Sequence, residues 1–323
     1  MFLLLAATSL VQSQIASTIT NQEPRVTKRT PWGDPDIQGT WPSGAMNDVP
    51  FERPVEMGER AELSDVEFLA RRDAIQRMQE QDSSPVPVPS TSGDLNPPLH
   101  WREPPSASRQ ASLIVDPRNG RLPPMTTDGA RRAKAWQQRA AGPAWTAAAD
   151  FNPYDRCITR GVLGSTLPNL YGTGMEIVQT PGAVVIRYEM VHETRIIPLD
   201  GRPHLSPAIR SYMGDARGRW DGATLVVETT NFNGRTGTFA RNGNGNPASE
   251  GLTLVERFTR LDATTLRYEA TVDDPATWTR PWTVAFPLAA DPSYELFEYA
   301  CHEGNYAIAN LLRIARASEG ATR

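Results

Sequence analysis

The feature that most constrains the fold is a series of short β-strand patterns that begins near residue 174. Its stretches are rich in Val, Ile, Thr and aromatic residues, which is typical of strands. They are Met175–Gln179, Val184–Met190, Thr194–Pro198, Thr224–Thr230, Leu252–Phe258, Thr265–Val272, Trp282–Phe286 and Tyr294–Tyr299. Turn signals such as Asp221-Gly222 join them. Short strands at near-regular spacing predict a curved antiparallel sheet or barrel.

The first 150 residues have a different character, because proline is frequent there and strand periodicity is weak. Stretches 83–90 and 96–98 have the composition of extended, polyproline-like chain. Ser64 and Glu67 have the spacing of a capping box, which predicts a helix to about Gln81. Three further elements are predicted: a short strand over Ala111–Asp116, a helix over Thr127–Ala140 and a C-terminal helix over Tyr306–Ala317.

The N-terminus has the pattern of a secretory signal peptide. Its first eleven residues are mostly apolar, and Val11-Gln12-Ser13 then offers the small residues that a signal peptidase accepts. No Lys or Arg precedes Arg25, so the usual basic n-region is missing. The apolar run is too short to span a bilayer as a helix. We expect a periplasmic or secreted protein without a stable membrane span; a buried N-terminal strand or helix is the alternative.

These patterns together predict a mainly β protein with three segments. Residues 1–13 are the signal peptide, and residues 14–150 form an extended proline-rich arm with two helices. Residues 151–323 form an antiparallel, barrel-like domain of the calycin or lipocalin type, which ends in a helix.

The chain has only two cysteines, Cys157 and Cys301. In an exported protein we expect them to form a disulfide, because oxidising compartments preserve such bonds. Two unpaired buried thiols, or a nucleophilic cysteine, are the alternatives. On a strand, Cys301 and His302 would point to opposite faces, which argues against a direct Cys–His dyad.

Charge and motif content exclude several classes of function. The net charge of −4 comes without a basic patch, which argues against a nucleic-acid partner. A Gly-x-Ser-x-Gly elbow, a P-loop and a dinucleotide fingerprint are all missing from the sequence. The four histidines are far apart in sequence and lack zinc-site spacing. We therefore predict no metal and no cofactor, and a small molecule as the substrate or ligand.

The predicted disulfide would gather the polar residues that flank its two cysteines. His302 is then the candidate general base and Glu303 its orienter or the acid, because histidine titrates near neutral pH. The candidate anion stabilisers are Arg156, Arg160 and Arg195, and the alternates for the base are His192 and His204. The competing interpretation of the 302–305 segment is a hydrogen-bonded corner that caps the final helix, with Asn305 at the N-cap.

Aromatic and amide side chains supply candidates for substrate binding. Trp278 and Trp282 flank Arg280, an arrangement that can stack a sugar ring or an aromatic ligand. The competing interpretation is a core cluster with a stacked arginine. Asn305 and Tyr306 are further candidates, because their polar groups can orient a substrate oxygen.

Several motifs resemble known families. Pro31–Trp41, Arg156–Gly161, Trp278–Trp282 and Tyr299–Tyr306 resemble a large family of uncharacterised exported bacterial proteins, a resemblance that brings no reaction with it. The stretch Arg219–Thr230, with Gly39-Thr40-Trp41, resembles small lipocalin-like barrels and implies that fold.

The leading hypothesis is an exported enzyme with His/Glu acid–base chemistry and arginine stabilisation of an oxyanion. Such a site suits a lyase or a hydrolase that acts on a small polar or sugar-derived substrate. The alternatives are a lipocalin-like protein that binds a small ligand, and a structural protein of the cell envelope.

Overall fold

A computed structural model describes residues 28–82, 103–140, 145–236 and 248–321. The predicted signal peptide and the proline-rich stretches 83–90 and 96–98 lie outside these ranges. The strands are β1 (Gly39–Thr40), β2 (Ile114–Asp116), β3 (Met175–Thr180), β4 (Ala183–Tyr188), β5 (Thr194–Pro198), β6 (Asp215–Asp221), β7 (Thr224–Thr230), β8 (Thr253–Arg260), β9 (Thr265–Asp273) and β10 (Trp282–Ala289). The helices are α1 (Asp65–Asp82), α2 (Thr127–Ala140), α3 (Val162–Thr166) and α4 (Ala307–Ala321).

The strands form two antiparallel sheets. The small sheet has the order β1-β3-β4-β5, and the large sheet has the order β2-β10-β9-β8-β7-β6. Within the described ranges, no ladder closes these sheets into a single barrel. A mainly β, antiparallel fold with a C-terminal helix is therefore confirmed, and a calycin-like barrel stays a prediction.

Alternation along the strands places apolar side chains between the two sheets. In the large sheet, Tyr268 is opposite Phe258 on one side and Phe286 on the other. Their ring centroids lie 5.1 and 5.3 Å apart, respectively. In the small sheet, Ile177 pairs with Ile186 across β3 and β4, and both are buried. The core is thus built by facing rows of large side chains.

The two sheets approach each other closely where β5 passes β6. A Cβ atom on Gly218 of β6 would lie 2.8 Å from Ile197 Cγ2 of β5. Only glycine therefore fits at this crossing without displacing its neighbours.

The N-terminal region shares the core of the C-terminal domain. β1 and β2 come from the first 150 residues, and each joins one of the sheets. Trp41 and Ile114 belong to the same buried cluster as Phe258 and Trp282. The boundary at residue 150 is thus a change in sequence pattern, with one apolar core on both sides of it.

Most local predictions agree with the structure. The Ser64 amide donates to Glu67 Oε2 at 2.8 Å and the Glu67 amide donates to Ser64 Oγ at 3.4 Å, which confirms the capping box. The hairpin at Asp221-Gly222 joins β6 to β7, with Gly222 at a φ of +59°. Among the described helices, none is long and apolar enough to cross a bilayer.

The strand predicted over 294–299 is wrong. This segment has no ladder partner and follows β10 as irregular chain. The Tyr294 amide bonds to Asp291 O and the Cys301 amide to Tyr299 O, which are local turn contacts. Its tyrosines instead contact side chains from other parts of the chain, as described below.

Candidate functional site

The predicted disulfide is present. Cys157 and Cys301 are bonded, with their Cα atoms 5.6 Å apart. The bond joins the 152–161 loop to the irregular segment after β10. Asn305 strengthens this junction, because its Nδ2 donates to Asp155 O at 3.1 Å.

The residues next to Cys301 do not form a closed site. His302, Glu303 and Tyr306 are all exposed, and Gly304 turns the chain with a φ of +68°. Among the described residues, no hydrogen bond to the side chain of His302 or of Glu303 is found. Their predicted catalytic roles stay predictions, without support from the geometry.

The two other described histidines have different hydrogen-bond partners. His192 is exposed, and its Nδ1 is 3.1 Å from Tyr299 O. His204 lies beside β6 and β7, where Nδ1 is 3.0 Å from Asp215 Oδ2 and Nε2 is 3.1 Å from Glu228 Oε1. His192 therefore contacts the segment that leads into His302, whereas His204 contacts carboxylates at β6 and β7.

Arg195 is part of the core. Its guanidinium donates to Glu256 Oε2 at 2.6 Å and to the Tyr188 hydroxyl at 3.1 Å. Both members of this ion pair are buried, and Glu256 is 0% exposed. Because its charge is already paired in the interior, we assign Arg195 to the packing of the two sheets.

The indoles of the 278–282 motif are also in the core. Trp278 and Trp282 are buried and meet edge to face with centroids 6.2 Å apart. Arg280 is exposed and donates to both carboxylate oxygens of Asp116. The two indoles therefore belong to a core cluster, which was the competing interpretation. Neither has an exposed ring face on which a ligand could stack.

Arg156 and Arg160 point to different places, although only three residues separate them. Arg160 is buried, and its guanidinium carbon lies 4.8 Å from the centre of the Tyr154 ring. Burial lowers the pKa of Arg160, while Tyr154, Tyr171 and Tyr299 oppose that shift. Arg156 is half-buried and lines a separate pocket, which is described below.

The best-formed arrangement of reactive groups is an open cleft beside Arg160. We call it the tyrosine cleft; its volume is about 550 Å³. It is lined by Glu103, Tyr171, Gly172, Glu189, Tyr294, Glu295, Phe297 and Tyr299. The segment that was wrongly predicted as a strand thus supplies four of its lining side chains, positioned next to the disulfide.

Three oxygens in this cleft form a chain. The Tyr294 hydroxyl lies 2.6 Å from Glu189 Oε2 and 3.0 Å from Glu103 Oε1. Glu103 also accepts hydrogen bonds from the Thr173 amide, at 2.9 Å, and from the Thr173 hydroxyl. One phenol therefore links two carboxyl groups.

The number of protons that these three oxygens share decides the chemistry of the cleft. A phenol has one proton and can donate to only one of the two carboxyl groups. Both contacts are hydrogen bonds only when the second carboxyl group carries its own proton and donates to the phenol oxygen. Glu103 already accepts from Thr173, so Glu189 is the group that holds the extra proton.

The electrostatics of Glu189 agree with that assignment. Burial raises the pKa of the Glu189 carboxyl above its usual range, the Tyr294 hydroxyl opposes the shift, and the negative charge of Glu103 adds to it. Burial also raises the pKa of the Tyr294 phenol, and the two glutamates raise it further. The phenol therefore keeps its proton at neutral pH.

The backbone around the cleft is shaped to hold these carboxyl groups. Val191 and His192 have φ values of +59° and +44°, a conformation that costs a β-branched residue energy. The His192 amide closes the turn by bonding to Glu189 O at 2.9 Å. A Cβ atom on Gly174 would lie 2.7 Å from Glu189 Oε2, so the carboxyl group rests against backbone that requires glycine.

Replacing Glu189 with glutamine is expected to change how stability depends on pH. Because the pKa of Glu189 is raised on folding, its contribution is fully present below the unfolded value of 4.5. That contribution is lost as the pH rises through the folded pKa. Denaturant unfolding at a series of pH values should show E189Q gaining stability relative to the unmodified protein above pH 4.5. Glu295→Gln, at the exposed rim, is the matched control; an equal gain there would contradict the assignment to Glu189.

Sequence reasoning missed Glu103, Glu189 and Tyr294 and found their neighbours Arg160 and Cys301. The Tyr294 hydroxyl is 191 residues from Glu103 and 105 from Glu189, and no local motif links them. A usable signal was the cysteine pair, since it brings the 294–299 segment towards residues 154–160.

Metal chemistry has no preformed site in the described part of the chain. No group of three or more His, Cys, Asp and Glu side chains there has a geometry that could hold a metal ion.

Comparisons with protein-family models, curated proteins and solved structures returned no match, so no family, fold or activity comes to this chain from a relative.

Proposed function

We propose that this protein is an exported acid–base enzyme whose reaction takes place in the tyrosine cleft. The observation that carries the proposal is the Tyr294 hydroxyl placed between the carboxyl groups of Glu189 and Glu103. Two carboxyl groups that share a proton can give it to one substrate atom and take it back from another. This is what a general acid–base mechanism requires.

In this mechanism Glu189 is the acid and Glu103 the base that restores it. Glu189 donates its proton to the leaving oxygen of the substrate as the bond to that oxygen breaks, and Glu103 takes a proton from the attacking water or from the substrate carbon next to that bond. The Glu103 proton then passes to the Tyr294 oxygen while the Tyr294 hydroxyl proton passes to Glu189, so the pair returns to its starting state. The proposal keeps the acid–base class expected from the sequence and assigns its roles to carboxyl and phenol groups instead of His302.

Arg160 supplies a fixed positive charge below the cleft. Since it is 4% exposed, it acts on the substrate through space and through the tyrosines above it. A preorganised charge in a partly dry site stabilises negative charge that develops in the transition state. This arrangement suits a lyase or a hydrolase.

The lining of the cleft favours a small polar or sugar-derived substrate. Tyrosine rings stack on the apolar faces of sugars, while their hydroxyls accept and donate hydrogen bonds at the edges. Export to the periplasm or the exterior, which the disulfide supports, would expose the cleft to such compounds.

Replacing Tyr294 with phenylalanine is expected to lower kcat by about 100-fold or more, because the ring stays while the proton relay is lost. KM should change little. The assay would screen p-nitrophenyl glycosides, p-nitrophenyl esters and polyuronates with the full chain, then compare variants on the compound that reacts. Tyr306→Phe, which is exposed and outside the cleft, is the control. Full activity in Y294F, with activity lost in His302→Ala, would move the reaction away from the cleft.

A small-ligand-binding protein is the second candidate, and the exposed Phe297 at the rim of the cleft favours it. Phe297 is 68% exposed and lines the cleft, so its ring is open to contact with the apolar part of a ligand. Saturable binding of a sugar in the cleft without turnover, equally tight in Y294F, would support this candidate over the enzyme.

A further inference from the structure

A second pocket, on the other side of the 152–161 loop, has a different chemistry from the tyrosine cleft. It has a volume of about 390 Å³ and lies between α2, the 149–156 segment and the chain after β7. We call it the arginine pocket. Its charged lining residues are Arg132, Arg156 and Arg235, and its aromatic ones are Trp136, Phe151 and Tyr212. Among the described residues that line it, none is acidic.

The arginine side chains are held by few competing acceptors. Arg132 is anchored, because its Nη2 donates to Ala276 O at 2.8 Å and to Thr277 Oγ1 at 2.7 Å. Its Nε is buried and finds no acceptor in the described part of the chain. Within the same ranges, no salt bridge to Arg156 or Arg235 is found. The pocket therefore concentrates positive charge that no acidic side chain among its described lining residues offsets.

Three guanidinium groups around one cavity are complementary to an oxyanion. Arginine presents paired N–H donors that match a carboxylate or a phosphate, and these charge-assisted bonds are among the strongest in proteins. The aromatic wall adds a surface on which a ring can lie.

We infer that the arginine pocket binds a small ligand in which an oxyanion, carboxylate or phosphate, is attached to an aromatic or sugar ring. Arg132 and Arg156 contact the anion, Arg235 closes the open side, and Trp136 contacts the ring. This site is separate from the tyrosine cleft, and its occupancy does not depend on the acid–base mechanism proposed there.

The test is isothermal titration calorimetry of the full chain with phenyl phosphate. Inorganic phosphate supplies the anion without the ring, and phenol supplies the ring without the anion. We expect saturable one-site binding of phenyl phosphate, with weaker binding of both fragments. Added salt should weaken the binding further, because it screens charge. Benzoate in place of phenyl phosphate distinguishes a carboxylate from a phosphate site.

Single variants assign the binding to this pocket. Arg156→Gln and Arg235→Gln are each expected to weaken phenyl phosphate binding about ten-fold, since each removes a charge-assisted contact. Trp136→Leu should weaken phenyl phosphate more than inorganic phosphate. Arg131→Gln is the matched control: it removes the same charge from α2, at a residue that is paired with Asp128 and does not line the pocket.

Three results would overturn the inference. They are no saturable binding at millimolar phenyl phosphate, binding that R156Q and R235Q leave unchanged, and an equal loss in R131Q, which would indicate a bulk charge effect. The side chain of Arg235 is exposed, so R235Q keeps the test valid if R156Q fails to fold beside the disulfide. E189Q and Y294F should bind phenyl phosphate normally; a loss in both would place the ligand in the tyrosine cleft.

Discussion

Replacing Glu256 with glutamine is expected to lower the free energy of unfolding by about 3–5 kcal/mol, the cost of leaving a buried charge without its partner. The Glu256 carboxylate accepts hydrogen bonds from both terminal nitrogens of Arg195, at 3.1 and 2.6 Å, and from the Tyr268 hydroxyl, at 3.1 Å. The variant keeps the shape of the side chain and removes its charge. Burial lowers the pKa of Arg195 and the negative charge of Glu256 raises it, so in the variant the guanidinium is left in the core without the charge that stabilises it.

The size of this effect follows from where the pair lies. Arg195 comes from β5 of the small sheet and Glu256 from β8 of the large sheet, so the ion pair joins the two layers. Both side chains are almost fully buried, and water cannot replace the lost partner. Breaking the pair therefore weakens the contact between the two sheets in addition to leaving one charge unpaired.

Urea unfolding measures the effect, with two controls. Glu269→Gln removes a carboxylate from the adjacent strand, where the pair with Arg267 is partly exposed, and should cost less than about 1 kcal/mol. The double variant Arg195→Met with Glu256→Leu replaces both charges by apolar groups and should recover most of the loss. A cost for E256Q as small as that for E269Q would show that water reaches this pair.

Replacing both Cys157 and Cys301 with alanine is expected to lower the free energy of unfolding by about 2–5 kcal/mol. The disulfide closes a long loop, with a sequence separation of 144 between its two cysteines, and so restricts the unfolded chain strongly. The same bond holds the segment that carries Tyr294 and Tyr299 against the 152–161 loop. We therefore also expect the variant to lose activity in the tyrosine cleft under conditions in which it is still folded.

Denaturation with and without reductant measures this effect. The reduced protein and the Cys157→Ala, Cys301→Ala variant should unfold at the same denaturant concentration, and reductant should not change the variant. Tryptophan fluorescence follows unfolding, since Trp41 and Trp282 are buried in the core. If the variant unfolds like the oxidised protein, the segment after β10 is held by its other contacts, such as the Asn305 bond to Asp155 O.

The sequence was informative wherever a structure depends on neighbouring residues. The Ser64–Glu67 box, the Asp221-Gly222 turn and the alternation in β7 to β10 act over a few residues, and all were predicted correctly. The error at 294–299 has the same origin. Its aromatic composition is typical of a strand, but a strand also needs a ladder partner, and here the tyrosines contact Glu103, Glu189 and Arg160 instead.

By itself, the sequence determined a mainly β chain, its three longer helices, its hairpin and the pairing of its two cysteines. The helices and the hairpin follow from local pattern, and with only two cysteines a single pairing exists. Only the tertiary structure decided that His204 pairs with Asp215 and Glu228, that Arg195 is in the core and that Arg160 is buried while Arg156 lines a pocket. It also placed Tyr294 between two carboxyl groups far away in sequence. The stacking of two sheets sets which distant side chains meet, and a polar residue carries no local mark of the partner it will have.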